Sequence, residues 1–293
     1  SERLSKEIDV EKKNGLCLAF TEDEEKLLIE RSKIRKEYGA DISIISTKEA
    51  QRIDPNINSS IKCAAFCEMD GYVSANQTGY AYSKALKENK VKILENYDVS
   101  EIDYDKNKYV IIFKNGEKLI ASSLILATGV NLEKTLKLLR INIKIKCLPQ
   151  QLIVSERMPK IMDTVITVAN GKLSLKQFKN GTVLIGGGWP GIGNIEDNYT
   201  ETKPENLIGN MMLACHAIPR LKSSRVARVW LGLEAETDDA MPIIGEIPNY
   251  ENAYVIGSIH SGYTSGPYMG KLLAEKILGK DIDLSLFDIK RFL

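Results

Sequence analysis

The spacing of apolar and polar residues changes several times along the chain, and each change predicts an element. "TEDEEKLLIERSKIRKEYG" predicts a helix from its punctuation. Thr21 caps the first turn, Glu24 reaches back from three residues on, and Gly39 is placed to stop it. "TKEAQRIDP" predicts a shorter helix that ends before Pro55. "IKCAAFCEMDGYV" reads as a strand leaving a turn, and "SANQTGYAYSKALKENK" as a helix capped by Ser74.

A compact β region follows. In "VKILENYDVSEIDYD" and "NKYVIIFKNGEKLIASSLILATG", Asn115-Gly116 lies between two strand-like runs, a strong hairpin signal. "SLILATG" is apolar without alternation, which predicts a parallel strand covered on both faces and ending at a ligand. From about Lys144 to Gly188, "IKIKCLPQQLIVSE", "DTVITVAN", "KLSLKQFKN" and "TVLIGGG" predict an antiparallel meander, with turns at Asn170-Gly171 and Asn180-Gly181. A helix over "PENLIGNMMLACHAIP" separates it from the strand "RVARVWLGLEAE". The chain closes on "AYVIGSIHSGYTSGPYMGKLLAEKIL", in the order strand, small-residue turn, helix.

The stretch "GTVLIGGGWPGIGN" fits G-x-G-x-x-G through Gly186, Gly188 and Gly191. That fingerprint works when the glycine turn passes a strand directly to a helix, whose N-terminus faces a pyrophosphate. Here Pro190 and "GIGNIEDNYT" carry no helical period, so the expectation is a strand end with close backbone packing. Trp189, beside flexible glycines, remains a candidate pocket wall. The closing segment is the better cofactor candidate, because Gly257, Gly262 and Gly266 allow close backbone approach and Pro267 suits a first helical turn.

Composition removes several function classes. Forty basic residues against 39 acidic ones, a net charge of +1, give no nucleic-acid stripe or polybasic patch. With 43% hydrophobic and 27% charged residues in 293, the chain can bury a substantial core in one large domain or two interleaved ones. No stretch has the apolar length of a membrane span, and the first residues carry no apolar signal core. Five scattered cysteines read as reduced thiols, hence a cytoplasmic protein, and Cys63 and Cys67 lack a second ligand pair for zinc.

Taken together, four segments resemble the D-amino-acid oxidase (DAO) superfamily of flavoproteins, in its order and over essentially the whole chain. They are "DGYVSANQTGYAYSKAL", "YDVSEID…ASSLILATG", "WLGLEAETDDAMPIIG" and "GSIHSGYTSGPYMGKLLAEKI". The superfamily includes sarcosine and glycine oxidases and the heteromeric amino-acid and opine dehydrogenases. The resemblance implies an α/β fold: a Rossmann-like FAD-binding domain lacking its first βαβ unit, interleaved with an antiparallel-sheet substrate domain. The expected division is 1–72 with 143–235 for substrate, and 73–142 with 236–293 for FAD.

It also implies oxidation of a C–N bond in an amino acid or secondary amine, such as a D-amino acid, sarcosine, a proline derivative or an opine. A hydride passes to flavin N5, leaving an imine that water hydrolyses. By position, the Val99 backbone meets the adenine, and Ala127, Thr128 and Gly129 line the cofactor groove. Gly257, Ser261, Gly262, Tyr263, Thr264, Ser265 and Gly266 form the flavin turn. His260 and Tyr263 are the catalytic candidates, each with an ordinary hydrogen-bonded or core role as its competitor. Trp189, Trp230 and Glu234 are the substrate candidates, and His216 reads as structural.

The departures from the family sharpen the expectation. The family opens with a true G-x-G-x-x-G; this chain starts after that point, and its natural beginning is expected upstream. Thr264 stands where simple sarcosine oxidases carry an oxygen-activating lysine, which favours a dehydrogenase serving a partner subunit or electron carrier. Gly232 stands near a flavin-linked cysteine of some members, so FAD is expected to be non-covalent. Asp238 replaces a customary proline, leaving the substrate open. The rival readings are a non-catalytic subunit or degenerate fragment of such an enzyme, and an amino-acid-binding module without redox chemistry.

Overall fold

The computed structural model describes residues 8, 10–196, 199–258 and 262–293. Six helices are defined among them: α1 (Glu22–Glu37), α2 (Thr47–Ile53), α3 (Ala75–Glu88), α4 (Leu132–Leu138), α5 (Pro204–Ala217) and α6 (Gly262–Ile277). The chain divides into two compact units. Unit 1 comprises residues 1–93, 150–192 and 201–232; unit 2 comprises 94–149, 193–200 and 233–293. The first boundary falls after residue 93, so α3 belongs with unit 1.

Local chemistry explains the helix starts in unit 1. Thr21 accepts from the Glu24 N–H while the Glu24 carboxylate accepts from Thr21 N, a complete capping box on α1. Ser46 and Glu49 repeat the device on α2. The sheet of eight strands that dominates this unit runs, edge to edge, Val226–Glu236, Lys146–Ser155, Val183–Gly186, Ser174–Gln177, Val165–Val168, Gly15–Ala19, Cys63–Cys67 and Ile42–Ser46. Strand periodicity sorts its faces. Leu16 and Leu18 enter a core shared with Ala214, Ala217 and Ile218, whereas Cys17 and Ala19 face the cluster containing Leu28 of α1.

Two expectations about this sheet need correction. The strands from 146 to 186 are antiparallel, but the first of them, Lys146–Ser155, pairs with the last, Val183–Gly186, so they do not form a simple meander. The sheet is also mixed, because Val165–Val168 runs parallel to Gly15–Ala19. The latter strand was not legible as an element: "GLCLA" is short and apolar on both faces.

Unit 2 is layered around a smaller sheet. Ile243–Glu246 pairs antiparallel with Ala253–Gly257, which pairs parallel with Leu124–Leu126. Alternate residues feed opposite cores: Ile243 and Val255 join Leu132 and Leu136 of α4, while Ile244, Tyr254 and Ile256 join Leu273 of α6. A separate meander, Val99–Asp105, Lys108–Phe113 and Lys118–Ala121, turns at Asn115-Gly116 as expected. The strand Leu124–Leu126 is not covered on both faces as expected. It forms the edge of its three-stranded sheet, and Ile125 is 51% exposed while Leu126 is buried.

Candidate functional site at the carboxyl edge of a parallel pair

The glycine-rich stretch 186–191 is built for packing. Gly186 ends a strand of the large sheet, and the chain continues into Ile192–Asn194, another strand, with no helix between. Gly187 has φ 127°, and a side chain there would run into the Leu173 backbone. Trp189 donates its indole N–H to the Lys172 carbonyl at 2.7 Å and covers Gly209 of α5, where a Cβ would lie 2.6 Å from the ring. The expected strand end with close backbone packing is found at Gly186, Gly187 and Gly191, while Gly188 meets open space, and the donor group of Trp189 is already engaged.

The other candidates gather in unit 2. In the parallel pair, Leu124, Ile125 and Leu126 lie beside Ala253, Tyr254 and Val255, so both strands deliver their next residues to the same edge. Ala127, Thr128 and Gly129 emerge there from one strand and Gly257 and Ser258 from the other. Ala127 and Gly129 are exposed; Gly129 has φ 54°, and a Cβ on it would meet nothing within 4 Å. Thr128 is tied back to α4 through a 2.7 Å hydroxyl–hydroxyl bond with Thr135. Gly257 packs closely on Leu132, whose Cδ2 would lie 2.6 Å from a Cβ added there and would have to move.

Ser258, which sequence reasoning missed, is the most informative residue of this edge. It is a non-glycine residue at φ 51°, it is 2% exposed, and its Oγ has no hydrogen-bond partner among the described residues. A buried hydroxyl without a partner costs about 1–3 kcal/mol, and a left-handed backbone adds to that cost.

His260 and Ser261 lie outside the described residues. α6 begins at Gly262, and its first turn follows Ser258 closely in the chain. Tyr263 is 50% exposed, Thr264 is exposed, and a Cβ on Gly266 would meet nothing within 4 Å. Pro267 sits in the second turn and not, as expected, in the first, so it cannot donate to the Tyr263 carbonyl. The aligned peptide dipoles of α6 place partial positive charge at this end.

Val99 opens its own strand opposite Phe113 and packs against the α4 cluster, in the same unit. Trp189 and Trp230 belong to unit 1. Trp230 is exposed beneath the Arg228 guanidinium, 5.5 Å from its ring centroid. Glu234 is half-buried in unit 2. His216 of α5 packs its ring against Phe20, with centroids 4.4 Å apart, as a structural residue does. Gly232 is exposed, with open space where a Cβ would stand.

Two acids of "TDDAMP" take unlike partners. Asp238 pairs with Lys146 at 3.0 Å on the surface. Asp239 receives Arg291 Nε at 2.7 Å, together with the Thr237 hydroxyl and the Met241 N–H. The guanidinium, first among these donors, holds the Asp239 carboxyl well below the usual carboxylate range.

Residues 1–276 match the family described as FAD dependent oxidoreductase (DAO). The chain belongs to this family. Hydrogen cyanide synthase subunit HcnC of Pseudomonas protegens is 26% identical over 250 residues, covering 82% of this chain and 57% of that protein. An opine oxidase subunit from Rhizobium meliloti is 22% identical over 243 residues, covering 81% and 62%. The chain thus spans about three-fifths of the length of these relatives. Glycine oxidase from Geobacillus kaustophilus superposes with a TM-score of 0.89 at 20% identity, over 100% of this chain and 78% of that one.

FAD is the cofactor of the DAO family, and the edge described above fits such a group on this structure's own features. Gly129 and Gly266 each leave their backbone open to approach, and the unpartnered Ser258 hydroxyl offers a hydrogen bond. The α6 N-terminus supplies positive potential to an electron-rich atom. Among the described residues, no cluster of three or more His, Cys, Asp or Glu side chains forms a metal site.

Proposed function

We propose that the protein is an FAD-dependent oxidoreductase that oxidises the C–N bond of an amino acid or secondary amine, with FAD held non-covalently. FAD, when bound, supplies the hydride acceptor. The observation that carries the reading is Ser258 itself, a strained, buried hydroxyl without a partner among the described residues, at the end of the strand that pairs parallel with Leu124–Leu126.

In this reading the chain's own groups bind and orient. Ala127, Thr128 and Gly129 form one wall of the cofactor groove, and Gly257, Ser258 and the residues from Ser261 to Gly266 form the other. The Val99 backbone reads the adenine end. Positive potential at the first turn of α6 stabilises negative charge on the group that faces it, without reorganisation during the reaction. Tyr263, half-exposed, and His260 are the side chains assigned to catalysis, and Trp230 and Glu234, in separate units, remain individual candidates for substrate contact. The Glu234 carboxylate suits a substrate ammonium. Trp189 is the weakest of the substrate candidates, because its N–H is bonded to Lys172.

Unit 2 with its parallel pair is the cofactor-binding part of this reading, and unit 1 with the large sheet the substrate-binding part. Thr264, in place of the lysine of simple sarcosine oxidases, favours a dehydrogenase that passes electrons to a partner. HcnC and the opine oxidase relative are both named as subunits. The five cysteines, none in a disulfide, support a cytoplasmic setting, and among the described residues no helix is long and apolar enough to cross a membrane.

The test is anaerobic addition of glycine, sarcosine, proline, a D-amino acid and an opine to the FAD-loaded natural protein. Bleaching of the flavin band by at least one of them, with slow reoxidation by air and fast reoxidation by an artificial acceptor, is expected. Ligand-induced stabilisation without bleaching by any of them would replace this reading with that of a binding module.

A further inference from the structure

Unit 1 carries an apolar trough that the redox reading does not use. Along α5, Ile208, Met212 and Cys215 recur at helical spacing, and they form one wall of a cavity of about 380 Å³. Val226 and Val229, from the edge strand of the large sheet, form the other. Ile208 is 61% and Met212 67% exposed, which is costly for side chains of this size in water.

Basic residues cluster in the chain between and beside the two walls. Arg220 and Lys222 lie in the turn that follows α5, and Arg225 and Arg228 bracket Val226 in sequence; all four are exposed. Among the described residues none of the four holds a carboxylate; Arg228 lies over Trp230 instead. Burial raises the Cys215 thiol, and the Lys222 charge opposes that rise. Glu205, in the first turn of α5, stands at the opposite end of that helix.

We infer that this trough is a docking site for an amphipathic helix of a partner protein, one whose apolar stripe is flanked by acidic residues. The gap between helix and strand can receive the projecting side chains of a helix. Charge selects the occupant, because Arg220, Lys222, Arg225 and Arg228 reward carboxylates along the entering helix and repel a basic one. Met212 suits such a surface, being unbranched and able to adjust to the side chains it receives. The inference stands independently of the flavin reading.

The experiment uses the full chain and a fluorescent synthetic helix with leucine on one face and glutamate on both flanks. A lysine-flanked twin and phosphatidylcholine–phosphatidylglycerol vesicles are the competing probes. The glutamate helix is expected to bind, the lysine twin to bind at least about tenfold more weakly, and added salt to weaken the complex. Met212→Glu, and Arg225→Glu with Arg228→Glu, should each lower affinity by about tenfold or more. Ile34→Glu, which changes an exposed apolar residue on α1, should not. Equal binding of the two helices, binding to vesicles alone, no binding, or self-association of the chain that Met212→Glu abolishes would each overturn the proposal.

Discussion

At the scale of single residues, Ser258 combines a stability cost with a ligand opportunity, and the two can be separated by substitution. Ser258→Gly removes the strain of φ 51° and should raise the stability of the FAD-free protein by about 1 kcal/mol. The same change removes the unpartnered hydroxyl, so FAD affinity should fall several-fold. Thermal melts and flavin fluorescence titrations read the two effects. A variant that is stabilised yet binds FAD unchanged would show that the hydroxyl has no part in the site. Nothing in "GSIHSG" discloses this residue to a reader of the sequence. Its burial and its left-handed backbone are visible only in the folded chain. Gly129, by contrast, shows in the sequence as a glycine closing an apolar strand, and its positive φ agrees with that placement.

At the scale of elements, punctuation proved more legible than partnership. The capping box at Thr21 and the hairpin at Asn115-Gly116 follow from contacts between neighbours in sequence, and both stand where the sequence puts them. The pairing of Lys146–Ser155 with Val183–Gly186 and the parallel insertion of Gly15–Ala19 depend on residues far away in the chain, and no local signal encodes them. The Asp239–Arg291 clasp is of the same long-range kind. Arg291, in the last short turn, bonds Asp239 and the carbonyls of Met241 and Pro242, fixing the chain end to the loop before Ile243–Glu246. Because the folded carboxyl is held below its ordinary range, its stabilisation is complete above about pH 4 and is lost as pH falls through the folded value. Arg291→Gln should therefore cost about 1 kcal/mol at neutral pH, with a penalty that shrinks in acid. Denaturant melts across pH for both proteins measure it; a penalty independent of pH would assign the loss to packing.

At the scale of the whole molecule, the order of motifs located the fold better than any one of them. The one literal dinucleotide fingerprint passes from strand to strand, with Gly186 and Gly191 closely packed, and the less regular closing segment is the one proposed to face the ligand. A strand must pass into a helix for the fingerprint to mean anything, and only the second segment does so. The central claim is that FAD lies against the carboxyl ends of Leu124–Leu126 and Ala253–Gly257. Ala127, exposed at that edge, permits the most direct test, since a large side chain there obstructs the groove while leaving the core untouched. Flavin fluorescence titration of the full natural protein and of Ala127→Trp should show tight binding in the first and at least about a tenfold loss in the second, with unchanged thermal stability of the FAD-free forms. Equal affinity in both would place FAD elsewhere and contradict the account.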